Sequence, residues 1–205
     1  MVQPEKGVIR LADPSFDGVL SVEAAIRARR SVREYDDATL TLSEASQLVW
    51  AAQGISHADG LRTVPSAGAL YPLDVYLVAG RVEGLGPGVY RYRPGEHSLL
   101  KVVAGDRRRQ LAVAALKQEQ VEQGAAVIVL SVVYDRVVGK YGQRGVCYAH
   151  MEAGLAAENV HLQVTGLGLG TVIVGAFEDD EVRRIMGMEQ SEHPLVLMPV
   201  GRRRK

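Results

Sequence analysis

Three arginines and a serine fall within five positions at Arg29-Arg30-Ser31-Val32-Arg33. Guanidinium groups are permanently charged and present forked donors that suit phosphate, and a hydroxyl at a helix end adds one more. The same residues have a second reading, because cations in the last turn of a helix complement its dipole. Lys140-Tyr141 sets an amine beside a phenol within VVGKYGQRG. Held in a glycine-containing loop, the two can serve as proton acceptor and donor. They can equally be a solvent lysine next to a packing tyrosine.

GLGLGTVIVGAF, residues 166 to 177, spaces its glycines like a dinucleotide-binding loop. That loop needs a strand before it and a helix after it. Here a helical stretch comes first and an apolar strand follows, so the Rossmann and P-loop readings fail. Two readings remain: a glycine cap with close packing, or a turn whose N–H groups from Val174 to Ala176 donate to a ligand.

Metal chemistry has less support. Glu158 and His161 form a Glu-x-x-His pair, with His150 earlier on a similar face. A di-iron bundle requires a second such pair on another helix, and the chain has none. No metal is expected, and His161 reads as a satisfied core or interface histidine. Cys147 has only the nearby His150 to activate it, and no Gly-x-Ser-x-Gly elbow marks a hydrolase serine.

PSAGALYP, residues 65 to 72, encloses a run of small residues between two prolines. Pro fixes its own φ and biases the preceding residue towards extended geometry, so the ends are stiff. Small side chains bury little area. Their use is to let something flat approach the backbone, unless the run is an ordinary turn, which favours the same residues.

Periodicity supplies the elements that must position these groups. Residues 18 to 30 place Val19, Val22, Ala25, Ile26 and Arg29 at helical spacing. Thr41 and Glu44 are spaced as a capping box for a second helix, which Gly54 ends. Residues 74 to 80 read as a strand, and 88 to 102 as a hairpin turning near Pro94-Gly95. A helix over about 106 to 123 precedes AAVIVLSVV (125 to 133), a buried central strand. The longest helix spans 148 to 167 and is apolar on more than one side, which suits a surface shared with a second subunit. TVIVG (171 to 175), EDDEVRRIMG and PLVLMPVG close the chain as strand, helix and strand. The expectation is one α+β domain over residues 1 to 205, with helices flanking a mostly antiparallel sheet.

Composition narrows the partners. Lys plus Arg and Asp plus Glu balance at 24 each, so no global field favours nucleic acid or an anionic membrane. A single cysteine excludes an internal disulfide. No apolar run reaches the ~20 residues of a membrane span and no signal-peptide pattern opens the chain, so a cytoplasmic protein is expected.

In this order and spacing, RRSVREY, PSAGALYPLDVY, the stretch from KYGQRG to VIVGAF, and PLVLMPVGRRR resemble the nitroreductase superfamily of flavoproteins. The likeness is closer to the branch that holds the dehydrogenases of thiazole and oxazole peptide biosynthesis. It implies a homodimer of α+β subunits with FMN at the interface and a long central helix in that interface. By resemblance, Arg29, Arg30, Ser31 and Arg33 hold the FMN phosphate and ribityl chain. Pro65, Ser66, Ala67 and Gly68, with Leu70, come from the other subunit and lie along the ring. Val174, Gly175 and Ala176 turn backbone N–H groups to the flavin. Arg202 or Arg203, in the tail that runs to Lys205, stands where the family places a basic grip on the phosphate. Lys140 and Tyr141 match a pair implicated in proton removal. The implied activity is hydride transfer from NAD(P)H or an oxidisable substrate to a small organic acceptor, in a ping-pong cycle. The alternatives are an azoline dehydrogenase and a flavin-binding sensor without turnover.

Overall fold

The computed structural model describes residues 7–204. In chain order its elements are β1 (Val8–Arg10), α1 (Val22–Ala28), α2 (Leu42–Gln53), β2 (Leu73–Ala79), β3 (Gly88–Arg93) and β4 (Ser98–Ala104). Then come α3 (Arg108–Ala114), α4 (Gln120–Gln123), β5 (Ala126–Val132), α5 (Asp135–Tyr141), α6 (Arg144–Gly166), β6 (Leu169–Thr171), α7 (Asp179–Met186) and β7 (His193–Arg202). The strands form one sheet in the order β1-β4-β3-β2-β5-β7-β6, with antiparallel pairing throughout.

Side-chain alternation along the central strands explains why they read as unbroken apolar runs. Ala126, Ile128, Leu130 and Val132 of β5 face the core that α2 and α6 cover, while Val127 and Val129 face the core under α3 and α7. Leu73, Val75 and Leu77 of β2 divide from Tyr76 and Val78 in the same way. Both faces are dry, so both sets of positions must be apolar.

Helix ends follow local chemistry. The Thr41–Glu44 capping box is formed in both directions, and the Gly54 N–H closes α2 on the Trp50 carbonyl. Three expectations need correction. The first helix begins only after Ser21, whose hydroxyl accepts from the Ala24 N–H at 3.2 Å; that cap leaves Val19 outside. The helix expected over 106 to 123 is two helices. Leu116 and Lys117 adopt left-handed backbone between them (φ 57° and 62°), and the Gln118 side chain satisfies the Ala115 carbonyl that this break frees. The strand expected at 171 to 175 lies two residues earlier, as β6, and beyond it only Val174 pairs, exchanging bonds with Leu197 at 2.8 and 3.0 Å. The short strand β1, paired with β4, has no counterpart in the sequence reading. No helix among the described residues is long and apolar enough to cross a membrane.

Candidate functional site

Residues 65 to 71 form a tight turn with unusual backbone. Gly68 has φ 63°, Ala69 54° and Tyr71 45°, so three of four successive residues are left-handed. Each non-glycine in that region costs about 1–3 kcal/mol, and surrounding contacts must hold it there. The Ser66 hydroxyl does part of this by accepting the Tyr71 N–H at 2.9 Å. Leu70 turns inward and packs on the core.

Lys140 and Tyr141 lie against this turn. A Cβ on Gly68 would fall 2.7 Å from the Tyr141 hydroxyl and 2.8 Å from the Lys140 ammonium, so the two polar tips lie directly against the backbone of the turn. The Lys140 ammonium also sits 5.3 Å from the Tyr141 ring centre, and Tyr148 braces that ring edge-on at 5.3 Å. The pair is not in a loop, as its flanking glycines suggested. It forms the last turn of α5, which tolerates Gly139 inside and ends at Gly142.

Beneath the turn is a polar chain that the sequence reading missed. Glu152 of α6 is 3% exposed and Gln53 of α2 is 1% exposed. Gln53 Nε2 donates to Glu152 Oε1 at 3.0 Å, and Arg62 Nη1 donates to Gln53 Oε1 at 3.1 Å. Burial raises the Glu152 carboxyl above the usual carboxylate range, against the opposing pull of the Gln53 hydrogen bond and the Arg62 charge. The Arg62 guanidinium lies 4.2 Å over the Tyr71 ring. Asn159, two turns along α6, donates to the Ala51 and Thr63 carbonyls at 3.2 and 3.1 Å and fixes the chain entering the turn. The signal was a carboxylate at residue 152 among the buried Ala149, Ala153 and Ala156, a position that an apolar helix face does not offer without a partner.

The arginine motif is held elsewhere, by the closing strands. Ser31 bridges Thr171 of β6, the Val32 N–H donates to the Thr171 carbonyl at 2.8 Å, and Asp36 N–H donates to the Arg202 carbonyl at 3.1 Å. Tyr35 fits because a Cβ on Gly201 would lie 2.9 Å from the Tyr35 Cβ; its hydroxyl then reaches the Val32 and Pro199 carbonyls at 2.7 and 3.1 Å. With Val32 and Tyr35 turned in, Ser31 and Arg33 are exposed. Arg29 caps α1 and stands 3.9 Å from Glu158. Arg30 donates to the Arg27 and Arg29 carbonyls, so it closes its own helix as the dipole reading expects.

Downstream of β6, the Val174 N–H is taken by Leu197, which removes it from the expected ligand donors. The Gly175 and Ala176 N–H groups have no partner among the described residues, and a Cβ on Gly175 would meet nothing within 4 Å. Gln118 Nε2 holds the Ala176 carbonyl at 2.9 Å and sets the direction of this turn. Arg202 is bound to Glu44, and Arg203 Nε donates to the Leu169 carbonyl at 2.7 Å. Lys205 lies outside the described residues.

The expected residues therefore fall into two groups within one chain. Residues 65 to 70 with Lys140 and Tyr141 make the first. Residues 29 to 33 with 174 to 176 make the second, joined through β6. A cleft of about 680 Å³ between residues 15–25, α2 and α6 is lined by Arg62 and Thr63 but by no residue of either group. Beside the groups, α1 and α6 expose large apolar side chains: Val22 65%, Ile26 58%, Met151 57% and Leu155 47%.

The nitroreductase family model matches residues 26–202. A nitroreductase-family protein of Methanocaldococcus jannaschii is 46% identical over 184 residues, covering 90% of this chain and 92% of that protein. The microcin B17-processing protein McbC of Escherichia coli is 27% identical over 146 residues, covering 68% of this chain but 54% of McbC. The crystal structure of a nitroreductase-family protein of Ralstonia eutropha superposes with a TM-score of 0.86 at 28% identity, over 100% of this chain and 93% of that one. On the family match, the close relative and the shared fold, this chain belongs to the nitroreductase family and is an oxidoreductase.

Proposed function

We propose that the protein is an FMN-dependent homodimeric oxidoreductase whose flavin site is built from the first group of one subunit and the second group of the other. The observation that carries this reading is the separation of the two groups in one chain, next to an exposed apolar face on α1 and α6. The donor set suits the cofactor. Arg29 and Arg33, with the Ser31 hydroxyl, offer charge-assisted bonds to a phosphate. The open, unpaired N–H groups of Gly175 and Ala176 offer two donors to a planar ring without a side chain in the way. Pro65 to Gly68 present a backbone that a ring can approach closely.

When bound, FMN supplies two-electron transfer, taking hydride from NAD(P)H or another donor and passing it to a small organic acceptor in a ping-pong cycle. The protein's residues bind and orient it, exclude water, and hold a proton at Lys140 Nζ or the Tyr141 hydroxyl beside the turn. That last placement also favours a second reading, oxidation of an azoline ring, for which the similarity to McbC speaks. The purified protein's visible spectrum tests the first claim. Anaerobic bleaching by NADH, NADPH or an azoline peptide, followed by recovery with quinones or nitroaromatics, separates the two readings. A colourless chain that takes up no FMN would end both.

A further inference from the structure

Where α5 meets the Pro65–Tyr71 turn, one guanidinium touches both sides of the junction. Arg136 Nη2 donates to Asp74 Oδ2 at 2.8 Å, and its Nη1 donates to the Tyr71 carbonyl at 3.4 Å. Asp74 lies in β2, three residues after Tyr71, so the two acceptors bracket the exit of the turn. Tyr71 is held twice, since Arg62 lies over its ring at 4.2 Å. Its φ of 45° is one that local sequence does not favour, and contacts from outside the turn must maintain it.

Asp74 is itself anchored on the sheet. Arg91 of β3 donates to the same Oδ2 at 3.1 Å, and its Nη1 lies 3.8 Å from Glu192. Glu192 is buried and accepts the Tyr76 and Ser131 hydroxyls at 2.7 and 3.2 Å. The carboxylate that Arg136 grips therefore has little freedom to follow it. On the helix side, Arg136 stands four residues before Lys140, one turn earlier on the same face of α5. The Val133 N–H donates to the Pro72 carbonyl at 2.9 Å and fixes where the chain enters α5. Arg136 adds a second point of attachment nearer to the pair.

We propose that Arg136 is the positioning residue of Lys140 and Tyr141: forked across Asp74 and the Tyr71 carbonyl, it holds α5 against the turn so that both tips reach Gly68. The part concerning proton handling rests on the azoline reading above. The part concerning the two segments does not. A fork is required, not merely a charge. Lysine keeps the charge but offers one nitrogen, which cannot meet both acceptors where they stand.

Amide hydrogen exchange of residues 66 to 71 and 137 to 141 in the flavin-free chain is measured for wild type, Arg136→Lys and Arg136→Gln. Arg136 is exposed, so both variants should fold. Each should speed exchange in the two segments together by about tenfold, the worth of one charged hydrogen bond. In the flavin-loaded enzyme, Arg136→Gln should slow oxidation of an azoline peptide about tenfold in single turnovers. In a chain already carrying Lys140→Ala and Tyr141→Phe it should add less than about twofold, because nothing is left to position. Wild-type exchange in either segment, for either variant, would overturn the proposal. So would a tenfold slowing that persists without Lys140 and Tyr141. A wild-type chain that binds no FMN, or whose flavin no azoline peptide reduces, would instead end those readings, and the exchange data would still decide whether Arg136 holds the two segments.

Discussion

Arg202 grips Glu44 at two points, Nη1 lying 2.8 Å from Oε1 and Nη2 donating to Oε2 at 3.0 Å. Glu44 is at the same time the capping-box residue of α2, accepting the Thr41 N–H at 2.9 Å. The closing strand is thereby locked to the start of the helix that carries Gln53. Arg202→Ala should cost about 1–2 kcal/mol in denaturant unfolding, more than a fully exposed ion pair and within the range of a charge-assisted bond. FMN affinity should stay within about twofold. Normal stability with a tenfold loss of affinity would give Arg202 to the phosphate instead.

Arg33 is exposed, and its neighbours Val32 and Tyr35 do the packing. Arg33→Ala should therefore weaken FMN by about 10–100-fold, the worth of a charged hydrogen bond to phosphate, with the flavin-free melting temperature unchanged. A drop in melting temperature at normal affinity would show that the guanidinium serves the fold.

Lys140 and Tyr141 test the chemistry. If the natural substrate loses a proton as it loses hydride, Lys140→Ala and Tyr141→Phe should slow that half-reaction by about 10²–10⁴. Reduction by NAD(P)H needs no such group and should keep its rate. Stopped-flow traces of the two half-reactions make the comparison, and equal small effects on both would leave the pair as packing around Gly68.

His161 of α6 is buried and lies near the Arg29 charge, and these two causes hold its imidazole at about 4, below the usual 6.5. The unfolded chain takes up the proton first, so this contribution is complete above about pH 6.5 and is lost as pH falls towards 4. At about 1.4 kcal/mol per pH unit the loss reaches about 3 kcal/mol. Urea unfolding from pH 7 to 4 should show that steepness in wild type and lack it in His161→Leu, where the carboxylates titrate alike. Parallel slopes in the two proteins would contradict it.

The regular parts of this fold were legible because their signals are local. The Thr41–Glu44 box, the Gly54 stop, the acids that open α7 and the alternation of β5 each sit within a few residues. The break at Leu116 and Lys117 was not legible, since what stabilises it includes Gln118 reaching Ala176, far along the chain. Gly139 and Gly142 suggested a loop around Lys140 because glycine punctuation outweighed a single short helical turn. In the candidate site, residues with recognisable chemistry could be named as candidates by type, but Glu152, Gln53 and Arg62 could not. Their role depends on α2 and α6 crossing under a turn, which neither stretch reveals alone. The spending of the Val174 N–H on Leu197 likewise follows from sheet register.

The central claim is that each flavin site is shared between two chains, and a mixed dimer tests it most directly. Arg33→Ala damages the second group, and Gly68→Val damages the first, where a branched side chain would strike Lys140 and Tyr141 and strain a φ of 63°. With free FMN held near the wild-type Kd, each variant dimer alone should carry little FMN. A dimer purified through two different tags, one variant per chain, should regain one intact site of its two and carry half the flavin of wild type, with matching activity. If each site belonged to a single chain, both sites of the mixed dimer would remain damaged and it would stay as colourless as its parents.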